Sequence, residues 1–385
     1  MQAQEIRLKE VRSFFMNEDY FLAFRRLLDC VMDSQNLELY RKAIALTEAK
    51  DKDGGKESQE WVAQCLQLLD ETANIPLENS SKEEAVIQGD KLCKRFSSGG
   101  FSLGPVSVSL RKGQVYGLVG ENGNGKTTLL RILAKELSAD SGLLTFRFQK
   151  AAKDEYDLKT KLVYIPQRTQ KWYGSLQDNL KFVLANYGVP AEEIETRILI
   201  MIARLGLWNY KDLQWSELSS GYKMRFELAR TLLRQPEVLL LDEPLANLDL
   251  LAQQVILEDL RYIANSITKP MALLLSSQQL YEVEKVSDKV LFLKNGKYDE
   301  VLQENNPDEP KKLVVEMDVM GDKDKLRAAF GALALEQMSY NGGQYIAEFD
   351  ESTKFSAVLL ALAQSDLELL YIRNISSSSR RFFVA

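Results

Sequence analysis

The segment from residue 218 to residue 249 constrains the fold of this chain more than any other part of it. Residues 238–241 read Val-Leu-Leu-Leu, a short apolar run that is typical of a strand buried in a parallel sheet. Asp242 and Glu243 follow that run directly. Because open α/β sheets bind ligands beyond the carboxyl ends of their strands, two adjacent carboxylates at this place suit a metal ion and a water molecule.

The same segment contains a helix start that suits a phosphate group. Ser219, Ser220 and Gly221 stand just before a run of helix-forming residues. The amides at a helix N-terminus carry the positive end of the helix dipole, so the amides of these three residues can face a phosphate.

A complete P-loop lies upstream, between an apolar run at residues 115–119 and a helical pattern at residues 127–137. Its glycines allow the backbone amides to curl around phosphate oxygens. Lys126 would neutralise the β- and γ-phosphates, and the Thr127 hydroxyl would take a Mg²⁺ position. An incidental glycine-rich turn is the alternative, but the carboxylates and the Ser-Ser-Gly turn downstream argue against it. The loop comprises Gly120, Glu121, Asn122, Gly123, Asn124, Gly125, Lys126, Thr127 and Thr128.

These segments resemble the defining motifs of ABC ATPases. Residues 120–128 look like the Walker A motif, residues 218–222 like the signature, and residues 239–249 like the Walker B motif and D-loop. The resemblance covers residues 89–300, slightly over half of the chain. It implies an α/β P-loop NTPase core that binds ATP and Mg²⁺ and hydrolyses ATP. It also implies a homodimer in which the Walker A motif of each copy faces the signature of the other.

The resemblance further implies roles for individual residues. Glu243 would be the general base that polarises the attacking water, and Asp242 would hold Mg²⁺ through water. Gln167, at the end of a Q-loop-like run at residues 164–167, would contact Mg²⁺ or the attacking water and sense the transport partner. Asp249 stands at the D-loop position that links the two ATP sites.

Phe96 stands where such ATPases carry an aromatic residue that stacks on adenine. An aromatic side chain near a strand often belongs to the core instead. Both readings of Phe96 stay open at this point.

Two departures from the family pattern bear on the activity. The signature reads Leu-Ser-Ser-Gly-Tyr, where the common form has glycine and glutamine at its third and fifth places. Followed by Lys223 and Arg225, it looks more like the ATPases of exporters whose membrane part is a separate chain. Gln278 occupies the switch position, where the family usually has histidine. Its amide can donate a hydrogen bond to the γ-phosphate but cannot carry a proton near neutral pH, so we expect slow hydrolysis.

Composition excludes several other classes of protein. The chain has no histidine, which rules out Ser-His-Asp chemistry and histidine metal sites. The net charge of −6 resides in residues 1–88, and the neutral remainder has no basic footprint for nucleic acid. No apolar run approaches the roughly 18 residues of a membrane span, and the N-terminus lacks a signal-peptide pattern. The three cysteines lack metal-ligand spacing, which favours buried free thiols in a reducing cytoplasm.

The chain is too long for one compact core, and its patterns suggest three domains. Residues 1–88 are expected to be a helical accessory domain and residues 89–305 the nucleotide-binding domain. A linker then leads to a small α+β domain at residues 311–385. Within it we expect helices at residues 324–338 and 355–363 and strands at residues 344–349 and 367–372.

The first functional hypothesis is an ATP-hydrolysing subunit that powers a membrane exporter through a separate permease, at the inner face of the membrane. A docking surface for the permease would lie near Gln167 and residues 168–177, where Trp172 and Tyr173 are available. A soluble ABC protein that acts on ribosomes or DNA is the second hypothesis, although the chain has one P-loop and no long heptad insertion. A regulatory subunit that binds ATP without hydrolysing it is the third, because of Gln278.

Overall fold

The structure is a computed structural model, and we describe residues 2–78, 85–97, 100–148, 150–246, 248–298, 312–320, 323–341 and 343–376. The expected linker at residues 305–310 lies outside these ranges. The chain forms two compact units, the first comprising Met1–Lys289 with Leu293–Tyr298 and the second comprising Val290–Phe292 with Asp299–Ala385. The helical N-terminal region and the nucleotide-binding region therefore belong to one unit. The boundary at residue 88 stays a prediction.

The first unit begins with four helices and continues with alternating strands and helices, and residues 290–292 of its second-last strand are grouped with the second unit. Its elements are α1 (Gln2–Met16), α2 (Tyr20–Asp33), α3 (Leu37–Lys52), α4 (Gln59–Ala73), β1 (Ala85–Arg95), β2 (Ser102–Arg111), β3 (Val115–Val119), α5 (Lys126–Leu133), β4 (Ser141–Phe146), α6 (Glu155–Lys161), β5 (Leu162–Ile165), α7 (Leu176–Asn186), α8 (Ala191–Arg204), α9 (Ser220–Leu232), β6 (Val238–Leu241), α10 (Leu250–Ala264), β7 (Ala272–Ser277), α11 (Leu280–Glu284), β8 (Lys289–Lys294) and β9 (Lys297–Tyr298).

Helices α2, α3 and α4 begin at residues that are suited to capping. The side chains of Asp19, Asn36 and Ser58 accept hydrogen bonds from amides in the first turns of α2, α3 and α4. The apolar faces of the helices form one core, which Ile200 and Ala203 of α8 join. The accessory helices are thus packed on the nucleotide-binding part of the same unit.

The central sheet has the strand order β5-β6-β7-β3-β8-β9. Strands β5, β6, β7 and β3 are parallel, and every residue of β3, β6 and β7 is buried. The apolar runs that indicated buried parallel strands are therefore correct. A second, antiparallel sheet has the order β2-β1-β4. The Asn-Gly turn between β8 and β9 has positive φ at both residues, as a type I′ hairpin requires.

The second unit contains β10 (Leu313–Met320), α12 (Lys323–Ala329), β11 (Leu335–Asn341), β12 (Gln344–Phe349), α13 (Phe355–Ala363) and β13 (Glu368–Asn374). Its sheet has the order β11-β12-β10-β13, and all of its pairings are antiparallel. This is a ferredoxin-like βαββαβ arrangement with a core between the sheet and the two helices.

One expected helix of this unit is wrong. The pattern at residues 324–338 predicted a single helix, whereas the structure ends the helix at Ala329 and begins strand β11 at Leu335. Apolar residues at positions 326, 330, 333, 335 and 338 fit a helix in isolation. These residues form a strand because pairing of β11 with β12 supplies the backbone hydrogen bonds that a strand cannot make within itself.

Among the helices of the described residues, none combines the length and the apolar character that a membrane crossing requires. The three cysteines are free, as expected, but only Cys30 and Cys65 are buried, whereas Cys93 is partly exposed. Burial raises the pKa of the Cys65 thiol to about 12, which keeps it protonated and unreactive.

A buried ionic network joins the accessory helices to α8 and α10. Arg204 of α8 lies 2.7 Å from a carboxylate oxygen of Asp29 on α2 and 3.0 Å from one of Asp259 on α10. Arg25 of α2 donates a hydrogen bond to Asp259. Burial disfavours the charge of Asp29, but Arg204 and Arg26 offset this effect and hold the pKa of Asp29 below its usual value.

We predict that Asp259→Ala destabilises the first unit strongly. The change leaves the guanidinium groups of Arg25 and Arg204 buried with less compensating charge, which costs about 3–5 kcal/mol when one partner of a buried pair is removed. Urea unfolding followed by tryptophan fluorescence measures the loss. Glu71→Ala is the matched control, because Glu71 pairs with Lys42 at the surface, and such pairs contribute less than about 1 kcal/mol. An equal loss in both variants would contradict this assignment of the network.

Candidate nucleotide-binding site

The carboxyl ends of four adjacent parallel strands meet at one edge of the central sheet. Ile165, Leu241 and Leu275 are at the same level in β5, β6 and β7, and Val119 of β3 lies beside Ser277 of β7. Each strand is followed by a segment that the sequence singled out. Gln167 follows β5, the Asp242-Glu243 pair follows β6, Gln278 follows β7, and the P-loop follows β3.

The P-loop is a tight turn that opens α5. Gly123 and Gly125 have φ of 81° and 96°, and Gly125 is the residue that precedes the helix. The buried Lys126 ammonium donates hydrogen bonds to the carbonyl oxygens of Gly120 at 2.7 Å and Glu121 at 3.2 Å. The lysine is therefore folded back over its own loop, where a phosphate would lie.

Glu243 is at the centre of a set of polar contacts. Its carboxylate accepts hydrogen bonds from Gln167 Nε2 at 2.8 Å and from Gln278 Nε2 at 3.0 Å, and it lies 3.4 Å from Lys126 Nζ. Its backbone is in the left-handed region, with φ of 46°. Glutamate rarely adopts this conformation, and strained backbone of this kind concentrates at functional sites.

Asp242 is buried and held from two sides. The Tyr164 hydroxyl donates a hydrogen bond to one carboxylate oxygen at 3.1 Å, and the Ser276 hydroxyl donates to the other at 2.8 Å. Burial and the charge of Asp242 raise the pKa of Tyr164, so that the phenol stays a donor. Ser276 also accepts a hydrogen bond from the Glu243 amide at 2.9 Å.

Sequence reasoning missed Ser276 and Tyr164 as parts of the site. Tyr164 belonged to the Q-loop-like run and Ser276 to the switch segment, but neither was assigned a contact. The signal was their position, since Tyr164 lies opposite Leu240 in the next strand and Ser276 is the first of two polar residues that end the buried strand β7. A hydroxyl buried at a strand end needs a hydrogen-bond partner, and the nearest carboxylate supplies it.

The residues expected to bind Mg²⁺ can form a complete site only if the phosphates of a nucleotide supply further ligands. Asp242 offers carboxylate oxygens, the Thr127 side chain is exposed, and Gln167 contacts Glu243. The described residues contain no group of three cysteine, histidine or acidic side chains that could hold a metal ion by themselves. Mg²⁺ is commonly bound by one or two protein groups plus substrate phosphates, so the donor set is chemically suitable.

The signature turn and the D-loop segment lie beside each other. Ser219 caps α9, and Asp249 caps α10 by accepting a hydrogen bond from the Ala252 amide at 2.8 Å. A side chain on Gly221 would meet the side chains of Ala252 at 3.7 Å and Leu248 at 3.9 Å. Ser219 and Ser220 are exposed, so the N-terminus of α9 is open to a ligand from outside.

Phe96 lies beside the P-loop region rather than in the core. Its side chain is 37% exposed, and its ring centroid is 6.3 Å from that of Phe101. Phe101 in turn reaches the P-loop, since a Cβ on Gly125 would come within 2.9 Å of its ring. The exposed ring suits stacking on a base better than core packing, and Phe101 is an aromatic neighbour that sequence reasoning missed.

Comparison with known proteins shows which family this chain resembles. The family described as "ABC transporter" matches residues 103–246. The lantibiotic transport ATP-binding protein SrtF of Streptococcus pyogenes is 32% identical over 196 residues, which cover 51% of this chain and 81% of the relative. The ABC transporter ATP-binding protein NatA of Bacillus subtilis (strain 168) is 29% identical over 193 residues, covering 50% of this chain and 77% of the relative.

The fold is also similar to a solved structure. The structure of cbiO1 from Clostridium perfringens, part of the ABC transporter complex cbiONQ, matches 56% of this chain and 88% of its own. The TM-score is 0.51 and the sequence identity is 25%. The expected α/β P-loop NTPase fold of the ABC ATPases is thereby confirmed.

We predict that Gly125→Ala abolishes ATP binding. The left-handed backbone costs about 1–2 kcal/mol for alanine, and the new Cβ would also come within 2.9 Å of the Phe101 ring. Gly54→Ala is the matched control, since Gly54 has φ of 67° with nothing within 4 Å of a Cβ. Binding of a fluorescent ATP analogue should be lost in the first variant and unchanged in the second. Normal binding by Gly125→Ala would show that this loop does not hold the nucleotide.

Proposed function

This chain belongs to the family of ABC transporter ATP-binding proteins, and we propose that it powers a membrane exporter by ATP-driven pairing with a second copy of itself. ATP hydrolysis is the activity of the family. The membrane pathway would be formed by a separate permease, and the chain would lie at the cytoplasmic face of the membrane through that permease. We propose which residues bind ATP, that two copies form a dimer, and that the direction of transport is export.

The proposal that this chain hydrolyses ATP depends on the arrangement of side chains around Glu243. A carboxylate that accepts hydrogen bonds from Gln167 and Gln278 is positioned by two side chains that can also contact a γ-phosphate or its attacking water. Lys126 lies 3.4 Å away and would exchange its contact with Glu243 for phosphate oxygens. Lys126 would then bind the phosphate, and the carboxylate of Glu243 would be free to polarise the attacking water.

Metal binding would rest on Asp242 and Thr127, with Mg²⁺ neutralising charge on the phosphates. Tyr164 and Ser276 fix both oxygens of Asp242, so its orientation does not depend on the metal. Phe96 would stack on the adenine, while the amides of the P-loop surround the phosphates.

Exposed apolar residues beside the signature support the dimer. Leu250 and Leu251 open α10 and are 61% and 71% exposed. They follow Asp249 directly, and the residues on either side of them, Leu248 and Ala252, would lie within 4 Å of a Cβ placed on Gly221. A second copy that brought its P-loop to Ser219 and Ser220 would cover these leucines, and ATP would hold the two copies together.

The segment after Gln167 supports a docking surface that is connected to the signature helix. Tyr173 is 83% exposed. Its neighbour Trp172 donates a hydrogen bond to Glu227 at 2.6 Å and has Arg230 over its ring at 4.4 Å. Both partners of Trp172 lie on α9, which begins at the signature, so a permease contact at this segment would shift the helix that faces ATP.

The proposal that the direction of transport is export depends on the sequence of the signature. Its Ser-Ser-Gly form followed by Lys223 and Arg225 favours an exporter with a separate membrane chain. A soluble role on ribosomes is the competing hypothesis, and cell fractionation separates the two.

We predict that Glu243→Gln lowers kcat for ATP hydrolysis by about 10²–10⁴-fold, the range expected for loss of a general base. ATP binding should persist, because the amide retains the shape of the side chain. With Mg²⁺ and ATP the variant should accumulate as a dimer in light scattering, since the ligand that closes the dimer is no longer consumed. A phosphate-release assay gives the rate.

Gln278→His is the companion variant in this assay and should raise the wild-type rate severalfold, because histidine can carry charge near the γ-phosphate. Equal turnover by the wild type and Glu243→Gln would contradict hydrolysis at this residue. That result would favour a subunit that binds ATP as a switch without cleaving it.

We predict that the tagged full-length chain sediments with membranes from its native cells and that Tyr173→Glu moves it to the supernatant. A new charge on an exposed contact residue opposes docking without disturbing the core. Tyr156→Glu is the matched control, because Tyr156 is 68% exposed and lies on α6, outside the segment after Gln167. Sedimentation of the wild type with ribosomes would replace the transporter proposal by the ribosomal one.

A further inference from the structure

A cavity of about 430 Å³ lies between the accessory helices and the nucleotide-binding part of the first unit. Its walls come from α1, α2, α3 and α8, from the end of α7 with the segment that follows it, and from the ends of α9 and α10 with the turns that follow them. Binding sites for small molecules typically have volumes of about 300–1,000 Å³, so the space suits a compact organic molecule. None of the residues assigned to ATP lines it.

The charged side chains of the cavity do not balance. Three cations are paired with carboxylates that also line the cavity, namely Arg7 with Asp33, Arg204 with Asp29, and Arg197 with Glu193. Arg234 and Lys269 line it as well, and neither forms an ion pair with a carboxylate anywhere in the described ranges. The cavity therefore presents two positive charges that no acidic side chain offsets.

These two cations have weak or neutral partners. Arg234 donates a long hydrogen bond of 3.4 Å to the Tyr187 hydroxyl, and its Nε is buried without a hydrogen-bond partner. Lys269 donates to the side-chain carbonyl of Gln235, the residue next to Arg234. The Lys269 side chain is exposed, and partial desolvation together with the nearby charge of Arg197 lowers its pKa. An anion at this place would relieve that repulsion and give Arg234 a partner.

The remaining wall is apolar and aromatic. Met32, Val189, Met201 and Met271 supply flexible or compact apolar surface, and Tyr40 and Tyr262 supply aromatic rings. Methionine side chains adapt to irregular ligands because they are unbranched and polarizable. A simple inorganic ion would leave this apolar wall unused.

We propose that this cavity binds a small organic anion, with a phosphate, sulfonate or carboxylate group at Arg234 and Lys269 and an apolar or aromatic body against the methionine and tyrosine wall. Arg234 follows the end of α9, the helix that begins at the signature. An anion held there would join α9 to α2 and α8 and would stabilise the accessory helices in place. The site is separate from the one assigned to ATP, and the proposal does not depend on transport.

The test uses the full chain and the fluorescent sulfonate 8-anilinonaphthalene-1-sulfonate, an organic anion with an aromatic body. The wild type should bind it saturably, one molecule per chain, with a rise in fluorescence. Arg234→Ala combined with Lys269→Ala should weaken binding by about tenfold or more, because two charge-assisted contacts are lost. Inorganic phosphate should displace the dye more effectively than sodium chloride at equal ionic strength, which identifies recognition of the anionic group.

The matched control is Arg327→Ala combined with Lys325→Ala, which removes the same charges from exposed positions on α12. It should bind the dye as the wild type does. Val189→Trp keeps every charge but narrows the cavity, and it should also lose binding. Circular dichroism and ATP-analogue binding establish that each variant is folded. Non-saturable dye binding, or equal affinity in the wild type and both double variants, would overturn the proposal.

Discussion

The site depends on one constraint, the burial of four parallel strands on both faces of the central sheet. A parallel sheet that is covered on both sides leaves only its edges at the strand ends for polar chemistry. Asp242, Gln167, Gln278 and the P-loop therefore share one edge although they are far apart in the chain. The hydroxyl of Ser276 binds Asp242 and the Glu243 amide, and it thereby ties strand β7 to the segment that follows strand β6.

A second level of organisation connects this edge to the rest of the first unit through α9. The helix begins at the signature, carries the two side chains that hold Trp172, and ends at Leu232, two residues before Arg234 of the cavity. A rigid helix transmits a displacement at one end to the other, so the proposed permease contact and the proposed anion site would both act on the turn that faces ATP. The buried network around Asp259 gives the accessory helices a firm base for such an effect.

The local patterns predicted much of the fold because each depends on short-range chemistry. The apolar runs before Gly120 and Asp242 are strands β3 and β6 in the structure. The helix expected at residues 324–338 failed because its apolar spacing suits either structure, and only β12 supplies the partner that makes residues 335–341 a strand. The hydrogen bonds from Tyr164 and Ser276 to Asp242 likewise join different strands, so the sequence pattern did not indicate them.

The sequence by itself determined the family, the P-loop, the acidic pair and the position of Gln278, because these motifs act through neighbouring residues. Only the tertiary structure decided that Gln167, Gln278 and Lys126 converge on Glu243, since they come from three different strand ends. It also decided that Arg234 and Lys269 share a cavity with α2 and α8. Contacts between distant segments depend on how helices and strands pack, and no local pattern contains that information.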